Sequence, residues 1–99
     1  SNQPIIDLEN QVEELAVHHG PFSVELIEPV MTLAKLYLDE DELESATDQL
    51  RRAQNIAHRN EGVYTPRQFE AVTLLTQIAL REENYRAADT QQKSAFFVH

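Results

Sequence analysis

Residues 33–53 read LAKLYLDEDELESATDQLRRA, and residues 75–95 read LTQIALREENYRAADTQQKSA. The second stretch follows the first by 42 positions, and apolar, small and acidic residues coincide along the two copies. The same shift aligns Gly20 with Gly62, which are the only two glycines of the chain. A period between 20 and 50 residues is typical of repeat architectures built from small supersecondary units. The repeat therefore predicts an all-α fold of antiparallel helical hairpins stacked on one another.

Composition and charge agree with this class and narrow the choice of partner. The 99 residues include four prolines and no cysteine, so there is little material for β-turns and none for a disulfide framework. The formal charge is −9, and residues 1–48 alone carry −11. Because an acidic surface repels phosphates, nucleic acid is not an expected partner, whereas basic or polar protein segments are compatible. No apolar run approaches the ~18 residues of a membrane-spanning helix, so we expect no membrane insertion.

Local start and stop signals divide the chain into helices. The sequence Thr65-Pro66 with Gln68 combines a cap, a proline at the first helical position and a glutamine three residues after the cap. Apolar residues three and four positions apart mark one face of each helix. Short connections make consecutive helices antiparallel neighbours. These signals predict five helices, over residues 4–19, 23–39, 42–60, 66–82 and 85–98.

Two helix starts carry more specific predictions. Ser23 is an N-cap candidate for the second helix, but Pro29 then lies beyond the first turn. Either this helix starts late, near Glu28, or its opening turn is kinked, and we favour the kink. Asp41 with Glu44 resembles a capping box and predicts the start of the third helix.

Small residues predict where helices come close together. Side chains of this size let two helix axes approach toward ~8 Å. The alanines expected at such contacts are Ala34, Ala46, Ala53, Ala88 and Ala95. The inner face of the fourth helix is predicted from Val72, Leu75 and Ala79.

The aligned residues also form a motif with a known counterpart. The first copy reads Leu33-Ala34-x-x-Tyr37, then Asp41-x-Leu43-x-x-Ala46, then Leu50-x-x-Ala53. The second reads Leu75-Thr76-x-x-Ala79, then Glu83-x-Tyr85-x-x-Ala88, then Gln92-x-x-Ala95. Here the chain resembles the tetratricopeptide repeat family in its 42-residue form, as in kinesin light chains and many bacterial proteins. The family's turn glycine is replaced by Asp41 and by Glu83.

The resemblance covers residues 5–98 and implies a right-handed α-solenoid of about two and a half repeats in a single domain, 1–99. Residues 4–19 would be the second helix of a truncated repeat, 23–60 the first complete repeat and 65–98 the second. Because the chain starts in the middle of a repeat, we expect it to be a fragment of a longer protein.

The resemblance further implies a protein–protein interaction scaffold whose concave face is lined by the first helix of each hairpin. That face would hold a peptide or partner segment, with charged and amide side chains fixing its polar groups and apolar side chains adding hydrophobic contacts. The positions that correspond to this face are Glu28, Met31, Thr32, Lys35, Leu38, Asp39, Glu70, Thr73, Leu74, Gln77, Leu80 and Arg81.

No motif predicts catalysis, a metal site or a cofactor. His18 and His19 would point about 100° apart on a helix and cannot readily chelate one ion. The acidic run 39–42 lacks the alternating ligands and the glycine of a calcium loop. Nucleophile and phosphate-loop motifs are also missing from the sequence. We therefore expect no enzymatic activity and no metal or cofactor.

A second interpretation assigns the chain a structural role, as a spacer or self-association module of a larger protein. The run Phe96-Phe97-Val98 ends the last predicted helix. In a solenoid such a surface is covered by the following repeat. A second copy could cover it instead, as a homodimer through the C-terminal helix. The sequence leaves the cellular compartment open.

Overall fold

The fold is described from a computed structural model of the chain, for residues 2–61 and 66–98. Within these residues the secondary structure is helical, without strands, and four α-helices pack against one another. They are α1 (Gln3–His19), α2 (Ile27–Asp39), α3 (Leu43–Glu61) and α4 (Pro66–Val98), and a 3₁₀ turn (Val24–Leu26) precedes α2. Helix α2 packs on α1 and α3, and α4 packs on α3. The predicted all-α class is confirmed.

Helix α1 ends where the sequence predicts. Gly20 follows it with φ 95°, in the region that favours glycine, and its amide donates to the carbonyl of Ala16 at 2.9 Å. Ser23 accepts a hydrogen bond from the amide of Glu25 at 3.3 Å and caps the 3₁₀ turn. Pro29 is therefore the third residue of α2, where a backbone N–H has no acceptor within the helix. The late start is confirmed, and the favoured kink is wrong.

The turn between α2 and α3 depends on Asp41, which has φ 58°. Its amide donates to the carbonyl of Leu38 at 3.0 Å, and the amide of Glu42 donates to the carbonyl of Tyr37 at 2.9 Å. This pair of bonds is a Schellman motif, which ends a helix at a residue in the left-handed conformation. Asp41 thus ends α2, and the prediction that it starts the third helix is wrong.

The core fills the space between α1, α2 and α3. Three predicted contact alanines, Ala34, Ala46 and Ala53, are buried there. Ala88 is exposed, and the side chain of Ala95 lies outside the described residues. The largest fully buried side chains are Leu26, Ile27, Leu33, Leu50, Ile56, Val12 and Val30.

Helix α4 corrects the prediction of two helices over 66–82 and 85–98, because it runs unbroken from Pro66 to Val98. Residues 67–98 contain neither glycine nor proline. Around the predicted break the sequence is rich in Arg, Glu and Ala, which favour helix. Nothing local therefore ends the helix there. The predicted cap Thr65 and the glycine Gly62 lie outside the described residues.

The inner face of α4 also differs from the prediction. Ala71 and Ile78 are buried, and Leu74 and Leu75 pack half-buried against the core. Only Leu75 of the predicted set lies on this face, since Val72 and Ala79 are exposed. The prediction assumed a following antiparallel helix, and the continuous α4 supplies none.

Candidate partner-binding face

Two rows of polar side chains lie side by side on α2 and α4. On α2 the exposed residues Glu28, Thr32, Lys35 and Asp39 recur every three or four positions and form one stripe. On α4 the corresponding exposed stripe consists of Glu70, Thr73, Gln77 and Arg81. We call these two stripes the α2–α4 face. All of them were predicted from the sequence to line a partner-binding surface.

An ion pair joins the two stripes. Lys35 Nζ lies 3.3 Å from Glu70 Oε2, and both side chains are half exposed. Exposed ion pairs of this kind contribute at most about 1 kcal/mol to stability. Its main consequence is positional, because it brings together two predicted residues that are 35 positions apart in the sequence.

Arg81 bridges α4 to the end of α2. Its Nη1 donates to the carbonyl oxygen of Leu38 at 3.4 Å and lies 3.7 Å from Asp41 Oδ1. A positive charge at this place is favoured by the partial negative charge at the C-terminus of α2. The guanidinium carries five N–H donors, so this contact leaves donors for a partner.

Tyr85 adds a contact at the same turn that sequence reasoning missed. Its hydroxyl donates to Asp41 Oδ2 at 2.8 Å, and this hydrogen bond, with the nearby charge of Asp41, raises the pKa of the phenol. The signal was present in the sequence, because Tyr85 stands one helical turn after Arg81. The repeat motif indicates only that Tyr85 occupies the position of Leu43 in the first copy.

The apolar part of the predicted site is corrected by the structure. Met31 is 3 % exposed and Leu38 is 9 % exposed, and both belong to the core. They leave almost no surface for a partner. Leu74 is half-buried against the core, and Leu80 is exposed but lies at helical spacing from Phe69 and so on another side of α4. The α2–α4 face is therefore polar.

Several polar groups of the face are already engaged. The hydroxyls of Thr32 and Thr73 donate to the carbonyls of Glu28 and Phe69, each at 3.0 Å. The side chain of Gln77 has no hydrogen-bond partner among the described residues, so its amide is available to a ligand. A partner would meet a surface of charges and amides with little apolar area.

Apart from the α2–α4 face, an open cleft of about 560 Å³ lies between the start of α1 and the end of α2. The hydroxyl of Tyr37 donates to Glu9 Oε2 at 2.9 Å inside it, and Glu40 accepts from Asn2 at 2.8 Å. Burial, and then the hydrogen bond to Glu9, raises the pKa of Tyr37 to about 12. Its acids come from α1 and the turn, so no sequence spacing pointed to the cleft.

In the part of the chain that the structure describes, no helix is long and apolar enough to cross a membrane. No group of three or more metal-ligating side chains comes together there either. Comparisons with known protein families, with characterised proteins and with solved structures find no match to this chain.

Proposed function

We propose that the chain is a protein–protein interaction module of the tetratricopeptide type, whose α2–α4 face binds a peptide or a segment of a partner protein. The observation that carries the proposal is the alignment of two exposed polar stripes from α2 and α4, joined by the 3.3 Å pair of Lys35 and Glu70. In this arrangement α2 and α4 are the first helices of successive repeats, and α3 lies behind them.

The chemistry of the face favours a polar or basic segment. Charged and amide side chains dominate it, and its apolar neighbours Met31 and Leu38 are buried. The chain as a whole carries a formal charge of −9, which attracts basic segments over the Debye length of ~8 Å. Binding would therefore depend on ionic strength.

The test is a selection of displayed peptides on the 99-residue chain, followed by affinity measurements with matched variants. Gln77→Arg places a bulky charge on the α2–α4 face, and Asn55→Arg makes the same change of charge at an exposed position of α3. We expect Gln77→Arg to weaken the selected peptides at least about tenfold, a loss typical of a truncated or blocked interface contact. Asn55→Arg should leave affinity unchanged. Equal affinities for both variants would overturn the proposal.

Reversing the charges of Lys35 and Glu70 distinguishes a contact with the partner from support of the fold. Lys35→Glu should weaken binding, and Lys35→Glu combined with Glu70→Lys restores an ion pair between α2 and α4 with reversed polarity. If the ion pair only supports the fold, the double variant regains affinity. If Lys35 contacts the partner, affinity stays low although the fold is intact.

The structural alternative, self-association, is favoured by a different observation, which is the apolar surface on the opposite side of α4.

A further inference from the structure

The side of α4 that faces away from α3 is apolar and exposed. Phe69 is 75 % exposed, Val72 is 51 % exposed and Leu80 is 56 % exposed. With the exposed Thr76 and Ala79 they lie within one sector of the helix, because they are three, four, seven and eleven positions apart. We call these five residues the outer face of α4.

The repeat pattern marks this face as one that is normally covered. One period earlier the outer face corresponds to Ile27, Val30, Ala34, Tyr37 and Leu38 of α2. All but the half-buried Tyr37 are buried, in the core that α3 closes with Ala46, Leu50 and Ala53. In α4 the sequence keeps apolar residues at most of the same positions without a helix to cover them.

The chain's own C-terminal segment cannot supply that cover while α4 is continuous. A helix of 33 residues is about 50 Å long, so residues 85–98 extend away from the outer face. From Glu83 to Asp89 every side chain is exposed. The radius of gyration, 16.7 Å, exceeds the ~13 Å of a compact chain of this length, as a projecting helix requires.

Charge favours a second copy of the chain as the occupant. Helix α4 carries four basic and four acidic residues and is formally neutral, whereas residues 1–61 carry thirteen acidic and four basic residues. Two copies therefore repel one another through most surfaces but can approach through α4. The outer face itself holds no charged residue.

The outer face is also complementary to itself. Large side chains stand at its ends, at Phe69 and Leu80, and the smaller Thr76 and Ala79 lie between them. The Thr76 hydroxyl already donates to the carbonyl of Val72 at 2.9 Å, so covering it leaves no donor unpaired. A two-fold axis near Thr76 would place Val72 of one copy opposite Leu80 of the other, with Phe69 next to the exposed Glu83, in an isologous contact that closes after two copies.

We propose that the chain forms a homodimer in which two α4 helices pack antiparallel through their outer faces. The body of each copy then lies on the far side of its own α4. The two α2–α4 faces stay open, and the contact does not use Phe96 or Phe97. The outer face exposes on the order of 400 Å² of side-chain area per copy, about half of a standard interface, so the dimer is weak and forms only above about 10 μM.

The test is sedimentation equilibrium of the 99-residue chain from about 5 to 500 μM, a range chosen to bracket a weak contact of this size. We expect the mass to rise from 11.4 kDa toward twice that value. Val72→Arg should weaken association at least tenfold, and Val17→Arg, a matched change at an 81 % exposed position of α1, should leave it unchanged. Circular dichroism verifies that both variants stay helical.

A cysteine at the axis tests the geometry. The chain has no cysteine, so Thr76→Cys introduces a single thiol. When a thiol oxidant is added to accept the two electrons, this variant should form a disulfide dimer, while Asp48→Cys on α3 should not. Val72→Arg added to Thr76→Cys should abolish the crosslink. A wild-type chain that remains monomeric up to the highest concentration, or a Val72→Arg variant that associates like wild type, would overturn the dimer. If Val72→Arg weakens association and leaves peptide affinity unchanged, dimerisation through the outer face is independent of peptide binding at the α2–α4 face.

Discussion

Residues 27–42 and residues 69–84 are one period apart in the sequence, yet they fold differently. In the first stretch the apolar residues of α2 are covered by α3, and the helix ends at Asp39, just before the left-handed turn residue Asp41. In the second stretch the counterparts of Ile27, Val30, Ala34 and Leu38 are exposed, and the helix continues through Glu83. The repeat thus specifies which positions are apolar, and the residue at the turn decides whether the next helix folds back to cover them.

The turn residue acts through backbone conformation and through tertiary contacts. A left-handed residue other than glycine costs ~1–2 kcal/mol, and aspartate tolerates it better than most because its short side chain forms local hydrogen bonds. Asp41 also gains contacts from Arg81 and Tyr85 of α4. The longer side chain of Glu83 gives no such local compensation, and the helical conformation costs it little.

The largest difference in stability is expected between alanine variants of two valines that occupy the same position of the period. Val30 is fully buried and Val72, its counterpart one period later, is half exposed. We expect Val30→Ala to lower the free energy of unfolding by about 2 kcal/mol, because it removes buried methyl groups and leaves a cavity. Val72→Ala should change it by less than ~0.5 kcal/mol. Urea denaturation at low micromolar concentration, where the proposed dimer is dissociated, measures both values.

Equal losses in the two variants would show that the outer face of α4 is covered within a single chain. In that case the helix folds back near Glu83 in solution, as the repeat pattern predicted. If Val72→Ala lowers the free energy of unfolding only at high protein concentration, the result would instead support the dimer.

An alanine at each turn position should give the next largest difference. In Asp41→Ala, residue 41 must still adopt the left-handed conformation, and the contacts to Arg81 and Tyr85 are lost. We therefore expect the free energy of unfolding to fall by about 1 kcal/mol. Glu83→Ala places a strong helix former within α4 and should be neutral or stabilising by a few tenths of a kcal/mol. Thermal or urea unfolding of both variants gives the comparison.

Asp41→Gly then separates the two causes at this turn. Glycine adopts positive φ without strain, so this variant loses the side-chain contacts alone. Stability close to wild type would assign the loss in Asp41→Ala to the backbone. A loss as large as in Asp41→Ala would assign it to Arg81 and Tyr85.

Sequence reasoning predicted what depends on local signals. Gly20 and Ser23 mark the ends of elements in the structure, and the alanines of α2 and α3 are buried as their spacing indicated. It failed where the outcome depends on tertiary context. Asp41 and Glu83 occupy the same position of the period, and the contacts that support the turn at Asp41 come from Arg81 and Tyr85 of a distant helix.

The same limit applies to the candidate site. The resemblance implied that polar positions such as Lys35 and Glu70 share one surface, and the ion pair between them brings these two side chains together. Met31 and Leu38 were assigned to that surface as well, but they lie at the border of the stripe. Whether such border residues are buried depends on how a neighbouring helix is rotated, which no spacing within α2 determines.

The smallest expected effect concerns the two tyrosines that tie neighbouring elements together. Tyr37 joins α2 to α1 through Glu9, and its pKa is raised from the ordinary value of 10.0 to about 12. Tyr85 joins α4 to the turn through Asp41, and its pKa is raised as well. Both shifts mean that the folded chain holds the phenol proton more tightly than the unfolded chain.

The sign of the pH dependence follows from this difference. Because the folded pKa of Tyr37 lies above the unfolded value, its stabilising contribution is complete below pH 10.0 and is lost as the pH rises toward about 12. The difference in unfolding free energy between wild type and Tyr37→Phe should therefore be constant below that window and fall within it.

The phenolate absorbance of wild type minus that of Tyr37→Phe gives the titration of Tyr37 directly. A midpoint near 10 in that difference would show that the contact with Glu9 does not persist in solution. Tyr85→Phe should shift the pH profile in the same direction by a smaller amount, because Tyr85 is exposed and its hydrogen bond competes with water.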